Sequence, residues 1–251
     1  MDKSVPANLD GVPAVCAHCE ARNGGMCGVP NSEELLFLSK QSVRARVPAN
    51  SEIAAADEVV SRYSNIIKGV VKLTKLMPDG RQQIVGLQFA PDLIGRPFET
   101  HSQVTAEAAN DVQLCSFSKR ALDQLVRQSQ ELEHKLHMQA LADLDAARDT
   151  MLWLGRKSAT EKVASFILLL IRHADPIEQP DGDQTDGAGA QIHLPLRRTD
   201  IADYLGLTIE TVSRQLTKLR KAGVINMVDN RHISIDNVER LASMSGDAIR
   251  A

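Results

Sequence analysis

The stretch RRTDIADYLGLTIETVSRQLTKLRKAGVI, residues 197–225, decides how the C-terminal part of this chain folds. Thr199 is placed to cap a short helix, and Gly206 is placed to make the turn that follows it. Thr208 can then cap a second, longer helix. Two helices joined by a tight connection that contains glycine predict a helix-turn-helix. The next segment, VINMVDNRHISI at 224–235, predicts the two strands of a β-wing.

The second helix of this stretch carries side chains that suit the reading of double-stranded DNA. Residues 197–221 hold six positive and three negative side chains, a local charge of +3 against −3 for the whole chain. Such a basic patch binds phosphates. Glu210 can accept from the N4 amine of cytosine, and Arg214 can bind O6 and N7 of guanine. A structural helix hairpin with a solvated charged face is the alternative. The candidate DNA-binding residues are Thr208, Glu210, Thr211, Ser213, Arg214 and Lys218.

The middle of the chain, from about Val43 to Phe117, consists of short β-prone segments separated by turn residues. Asp79-Gly80 stands between two apolar-rich segments, which indicates a hairpin. The segment VQLCSFS, 112–118, alternates apolar and polar residues as a strand does. Several strands at this spacing predict a small β-sandwich or barrel.

A long helix is predicted at 131–156, because this segment has no proline and its first glycine is Gly155. Apolar residues recur along it with spacings of four and three, which is typical of a coiled-coil seam. The alternative is a helix that packs on its own domain. The seam residues, and the candidate dimer contacts, are Ala140, Leu144, Ala147, Met151 and Leu154.

Three of the four cysteines of the chain, Cys16, Cys19 and Cys27, lie in the segment CAHCEARNGGMC, and the fourth is Cys115. The N-terminal sequence has no apolar signal segment, so we expect a cytoplasmic protein, in which thiols stay reduced. Clustered reduced cysteines indicate a metal site. Structural zinc and an iron–sulfur cluster both fit these residues. The third interpretation is that the cysteines are unrelated and hold no metal.

Some classes of protein do not fit the sequence. Its longest apolar run, 166–171, is far shorter than the roughly 20 residues that cross a bilayer, so we expect no membrane association. We find no glycine-rich nucleotide fingerprint and no set of nucleophile and base. The sequence therefore predicts a regulator and not an enzyme, with an iron–sulfur electron carrier as a less favoured alternative.

These features together resemble the Crp/Fnr transcription regulators, and the FNR-type branch in particular. The resemblance covers nearly the whole chain and is carried by LGLTIETVSR at 205–214, by the cysteine set, and by the stretches PDGRQQI and PDLIG. It implies an α+β fold with a cyclic-nucleotide-binding-like β-roll (jelly-roll) sensor domain, a long dimerisation helix and a C-terminal winged helix-turn-helix. The implied divisions are a cysteine-rich segment at 1–30, the sensor at 31–128, the dimerisation helix at 129–156 and the DNA-binding domain at 157–251.

The resemblance also implies a function. Members of the FNR-type branch bind a [4Fe–4S] cluster when oxygen is scarce, with ligands that match Cys16, Cys19, Cys27 and Cys115 here. They form homodimers and bind TTGAT-type palindromic promoter sites to control anaerobic or microaerobic genes. A loop that matches 78–86 contacts RNA polymerase in the family, whereas the residues alone indicate an ordinary hairpin turn. No cyclic nucleotide is expected, because 96–111 lacks the cassette that binds its phosphate in other relatives.

Overall fold

The computed structural model describes residues 12–22, 24–173, 190–227, 229 and 231–246. The chain forms two compact units, and the boundary between them falls between Asp145 and Ala146. This boundary lies inside the long helix that we predict as a separate dimerisation element, so each unit includes part of that helix.

The first unit is built on eight antiparallel strands: β1 (Ser42–Val47), β2 (Glu52–Ala54), β3 (Arg62–Lys68), β4 (Val70–Leu76), β5 (Gln82–Phe89), β6 (Leu93–Ile94), β7 (Thr105–Ala108) and β8 (Val112–Ser118). They form two four-stranded sheets, in the orders β1-β8-β3-β6 and β2-β7-β4-β5. Apolar side chains from both sheets, such as Ile66 and Val71, share one buried cluster, so the sheets pack face to face. The predicted hairpin at Asp79-Gly80 joins β4 to β5.

Helices of the first unit begin where the sequence offers a capping side chain. Asn31 accepts hydrogen bonds from two backbone N–H groups at the start of its helix, and Ser118 accepts one from Ala121. The cysteine-rich segment adds 3₁₀ turns at Glu20–Arg22 and Met26–Gly28. The α-helices are α1 (Ala14–Ala17), α2 (Ser32–Lys40), α3 (Lys119–Gln128) and α4 (Gln130–Arg156).

One buried cluster joins the cysteine-rich segment to the beginning of α4. Met26, from the second 3₁₀ turn, and Leu132, from the first turn of α4, are both fully buried in it. Cys27, Cys115 and Leu136 pack against the same cluster. The core that holds the cysteine-rich segment is therefore also the core that anchors the long helix.

The second unit contains the predicted winged helix-turn-helix. Its elements after α4 are α5 (Ala159–His173), β9 (Ala190–His193), α6 (Arg198–Leu205), α7 (Ile209–Lys221), β10 (Ile225–Met227), β11 (His232–Ile235) and α8 (Val238–Ser245). The strand order β10-β11-β9 forms an antiparallel wing. With the β domain and the long helix, this confirms the predicted α+β architecture.

One detail of the helix-turn-helix differs from the prediction. Thr199 does not cap α6, which already begins at Arg198. The carboxylate of Asp200 accepts from the backbone N–H of Arg197 at 3.1 Å and from its Nε at 3.0 Å. A charged acceptor on Asp200, the third residue of the helix, takes the place of the neutral hydroxyl, because a carboxylate makes the stronger bond at a helix N-terminus.

None of the helices in the described ranges is both long and apolar enough to cross a membrane.

Candidate metal centre and nucleic-acid interface

All four cysteines line a single small cavity in the first unit. Cys16 comes from α1, Cys19 from the residues just after it, Cys27 from the second 3₁₀ turn and Cys115 from β8. Apolar side chains form much of the remaining wall: Val15, Leu35, Leu38 and Phe117. A thiol from the far end of the β domain is thereby brought to the three thiols of the N-terminal segment.

Strand register explains why Cys115 has polar neighbours. In the sheet order β1-β8-β3, Arg44 lies directly opposite Cys115 on one side and Asn65 on the other. Residues that are directly opposite share a face of the sheet, so all three side chains project towards the same cavity. The Nδ2 of Asn65 donates to the Sγ of Cys27 at 3.8 Å.

The cysteine-rich segment is held on the β domain by specific contacts. Arg44 Nη2 donates to the carbonyl oxygen of Val15 at 2.6 Å, which ties α1 to β1. Gly25 packs so closely that an added Cβ would lie 2.4 Å from the Ala21 oxygen and 2.9 Å from the Pro91 Cβ. Only glycine fits this approach, so the glycine between the second and third cysteines has a packing role.

Burial dominates the electrostatics of the thiols. Burial, reinforced by the nearby thiols, raises the pKa of Cys27 to about 12. Burial also raises the pKa of Cys16 and of Cys115, and the Arg44 guanidinium opposes the rise in both. The thiols of Cys16, Cys27 and Cys115 are therefore protonated at neutral pH in the metal-free protein, and binding of a metal group by them would release protons.

The structure brings the four predicted ligands to one cavity without a preformed coordination sphere. Among the residues that it describes, no group of three or more His, Cys, Asp or Glu side chains is positioned to hold a metal ion. The four cysteines are free thiols, each partly exposed. Reaching a shared metal group would therefore require local adjustment of the cysteine-rich segment.

Sequence reasoning missed the polar residues of the cavity, among them Arg44 and Asn65, which lie directly opposite Cys115. A signal was present for Asn65, because an amide interrupts the run RYSNIIK, whose four residues from Tyr63 to Ile66 are buried. For Arg44 there was none, since SVRARV reads as an ordinary exposed edge strand. Only the pairing of β1 and β3 with β8 assigns these two residues to the cysteine cavity.

Helix α7 presents the predicted DNA-binding residues in its first turns. Gly206 has a φ of 60°, the left-handed conformation that lets α6 end and the chain turn. The Thr208 hydroxyl then accepts from the backbone N–H of Thr211 at 3.2 Å and caps α7. Val212, Leu216 and Leu219 are buried on the inner face. Thr208, Glu210, Ser213, Arg214 and Lys218 are exposed, and Thr211 is half-buried.

Hydrogen bonds orient some of these exposed side chains. Arg214 Nη2 donates to the Thr211 hydroxyl at 3.3 Å, and Lys218 Nζ donates to the Thr160 hydroxyl at 3.1 Å. The pKa of Glu210 is lowered, first by its own backbone N–H and then by the Thr208 hydroxyl. Glu210 is therefore an ionised acceptor and Arg214 a cationic donor on the exposed face of one helix.

The predicted seam of α4 is open to solvent. Leu144, Met151 and Leu154 are exposed, and so are Ala140 and, in part, Ala147. Three more large apolar residues of α4, which the predicted seam omits, are also exposed: Met138, Leu141 and Leu152. This exposed apolar surface is what an unpaired coiled-coil helix would present.

Comparison with known proteins identifies both domains. Residues 161–244 match the model of the Crp-like helix-turn-helix domain, and residues 44–129 match that of the cyclic nucleotide-binding domain. A probable transcriptional activator of Rhizobium leguminosarum bv. viciae is 50% identical over 93% of this chain and 94% of its own. The transcriptional activator protein FnrL of Cereibacter sphaeroides is 33% identical over 95% of this chain and 96% of its own.

A solved structure agrees with these relatives. FixK2 from Bradyrhizobium japonicum has a TM-score of 0.72 and 31% identity, and the match covers 84% of this chain and 99% of the FixK2 chain. The two domain models, the relatives and this fold all point to regulators that bind DNA rather than to enzymes. The chain therefore belongs to the Crp/Fnr family of transcription regulators.

Proposed function

We propose that this protein is an oxygen-responsive transcription activator that holds a [4Fe–4S] cluster through Cys16, Cys19, Cys27 and Cys115. The observation that carries the proposal is the convergence of all four cysteines of the chain on one cavity. Such convergence needs β8, which is distant in sequence from the N-terminal cysteines, and four thiols at the wall of one cavity can supply the donor set of a [4Fe–4S] cluster.

The cavity suits an anionic iron–sulfur group in composition as well as in donors. Arg22 and Arg44 line it and lower the pKa of nearby thiols, so positive charge offsets the thiolates. Leucine and phenylalanine side chains limit the access of water. When bound, the cluster supplies a centre that oxygen can oxidise and degrade. The chain supplies the thiolates, the compensating charge and the cover.

The shared core couples this site to α4. Cys27 and Cys115 pack against the same buried cluster that contains Leu132, and Leu136 joins them one turn further along the helix. A metal group that ties the N-terminal segment to β8 therefore stabilises the packing around the start of α4. It can favour the dimer only by binding the dimer-competent state better than the other. Reversing the populations needs about 5 kcal/mol, which four metal–thiolate bonds can supply.

The homodimer would form along the exposed apolar seam of α4. The α7 helices of the two subunits would then lie about one DNA turn apart, which fits a palindromic site. Glu210 and Arg214 would read bases of a TTGAT-type half-site, and Lys218 would contact phosphate. The signal is oxygen and not a cyclic nucleotide, because the 96–111 segment lacks a phosphate-binding cassette.

The hairpin between β4 and β5 is the proposed contact for RNA polymerase. Its tip exposes two large apolar residues, Leu76 and Met77, next to the Asp79–Arg81 ion pair. An exposed apolar pair at a turn is suited to a partner protein. Relatives that are transcriptional activators support an activating role.

The test is to purify the protein without air and measure iron, sulfide and the visible spectrum. Air is then admitted while binding to a TTGAT-type palindrome is followed. We expect charge-transfer absorption that declines together with DNA binding. A colourless zinc protein that binds DNA equally well in air would refute the proposal and leave a zinc-stabilised regulator that answers another signal.

A matched pair of variants assigns the effect to the site. Cys115→Ser should lose iron and anaerobic DNA binding. Ser116→Ala, on the same strand with its hydroxyl bonded to Ser64 at 2.7 Å, should retain both. Equal loss in the two variants would mean that β8 is merely destabilised, and full retention in Cys115→Ser would remove Cys115 from the ligand set.

A further inference from the structure

Asn65 is a buried amide for which the architecture of the β domain gives no account. It is 1% exposed and stands on β3 between a serine and two isoleucines. Its Oδ1 is buried and has no hydrogen-bond partner among the described residues. Burying an unsatisfied carbonyl oxygen costs stability, so an apolar residue would serve a purely structural position better.

Among the described residues, the side-chain amide of Asn65 donates its hydrogen bond to a cysteine of the cavity. Asn65 Nδ2 donates to the Sγ of Cys27 at 3.8 Å, and Asn65 lies directly opposite Cys115 across the strand pair. The side chain therefore lies beside two of the four proposed ligands. A metal-bound thiolate has no proton to donate, so the amide must present its N–H group to the sulfur, as it does here.

We propose that Asn65 is a positioning residue that donates a hydrogen bond to the Cys27 thiolate and thereby sets the reduction potential of the cluster. This inference rests on the proposed function. Hydrogen bonds to cluster sulfurs help to set the potential. An N–H donor withdraws negative charge from the thiolate and so stabilises the more electron-rich state.

The same bond would slow the reaction with air. Dioxygen is the oxidant: it accepts one electron and becomes superoxide, and the iron–sulfur core is left one unit more positive. Because the donor stabilises the core before this loss, removing the donor makes electron loss easier. Asn65 would thus determine how readily oxygen oxidises the cluster, while the cysteines bind the metal.

The experiment compares Asn65→Leu with Gln88→Leu as a matched control. Gln88 is also a buried strand amide; its Nε2 donates to the Leu93 carbonyl oxygen at 3.2 Å, and its Oε1 is likewise unsatisfied among the described residues. Gln88 does not line the cysteine cavity. Each anaerobic protein is measured for iron content, for the midpoint of a redox titration and for the half-life of its visible absorbance in air.

Asn65→Leu should bind iron, have a lower midpoint potential and lose its absorbance about 10-fold faster in air, a factor taken from the low end of the effect on metal affinity or activity when the partner of a metal ligand is removed. Gln88→Leu should match the wild type in midpoint potential and in the rate at which it loses its absorbance. Urea unfolding of the metal-free forms separates a loss of stability from this effect. Asn65→Ser, whose shorter side chain does not reach the sulfur, should show the same fall in potential and serves if Asn65→Leu does not fold.

The possible failures are distinguishable. If the wild-type protein holds iron and sulfide, and the Asn65 variants have the same midpoint potential and half-life as the wild type, this inference alone is overturned. A wild-type protein without iron and sulfide refutes the proposed function and this inference with it. Equal changes in Asn65→Leu and Gln88→Leu overturn the inference in favour of a general effect of β-domain stability.

Discussion

Replacing Leu144 with alanine is expected to weaken the proposed homodimer by about 7- to 50-fold. Leu144 lies near the middle of α4 and leaves 44% of its surface exposed in the single chain. In a parallel coiled-coil pair it would meet its own copy, so each substitution removes apolar contact on both sides of the interface.

The size of the effect follows from the exposed fraction. Burying a leucine side chain completely stabilises by about 1.5–3 kcal/mol, so the surface still open on Leu144 offers about 0.7–1.3 kcal/mol. Two copies double this to about 1.3–2.6 kcal/mol. Alanine keeps only a small part of the contact, so the dimer dissociation constant should rise about 7- to 50-fold at 1.4 kcal/mol per factor of ten.

The assay is sedimentation over a range of concentrations under nitrogen, with binding to a palindromic DNA site measured in parallel. Leu36→Ala is the control, because Leu36 is 43% exposed but lies on α2. The control should leave the dissociation constant within a factor of about 2, as surface substitutions commonly change free energies by less than 0.5 kcal/mol.

An equal dissociation constant for Leu144→Ala and Leu36→Ala would refute the reasoning. It would show that the exposed seam of α4 is not the dimer interface, whatever the metal content. Weaker DNA binding in Leu144→Ala without a change in sedimentation would also contradict it, since the proposed effect on DNA passes through the dimer.

The remaining predictions concern other parts of the chain. Arg214→Ala should cost about 1–3 kcal/mol at a single base position of the site, and uniform weakening over all sequences would contradict base reading. Thr208→Ala should lower the free energy of unfolding by about 1 kcal/mol in urea titration, because α7 loses its cap. Arg44→Met should slow cluster assembly at pH 7 but less so at pH 9, since the lost cation raises nearby thiol pKa values; iron incorporation at the two pH values measures this. Burial raises the pKa of Tyr204, so stability should fall as the pH rises above about 10, where the unfolded tyrosine loses its proton first. Tyr204→Phe should lessen that fall in urea titrations at pH 9 and 11, and an unchanged fall would contradict the assignment.

Local signals predicted most of the secondary structure. The predicted cap at Thr208 acts within three residues of the group it binds, and the hairpin at Asp79-Gly80 needs only a short turn. Such contacts depend on neighbours in sequence, so they can be read without the fold. The exception was Thr199, where a nearby carboxylate was the stronger acceptor.

Contacts between distant residues could not be read in this way. Arg44 and Asn65 reach the cysteine cavity because β1 and β3 both pair with β8, and nothing within those strands identifies their partner. The predicted seam also underestimated the exposed apolar surface of α4. The spacing of apolar residues along a helix cannot show which of them the rest of the chain leaves uncovered.

The amino-acid sequence by itself determined the helix-turn-helix, the wing, the long helix and the identity of the four thiols, since each depends on spacing and capping along a short stretch. Only the tertiary structure decided that Cys115 meets the other three, and that an arginine and an amide flank it. The physical reason is that strand pairing joins segments far apart in the chain. Its register is selected by the burial of whole sheet faces and not by any single local motif.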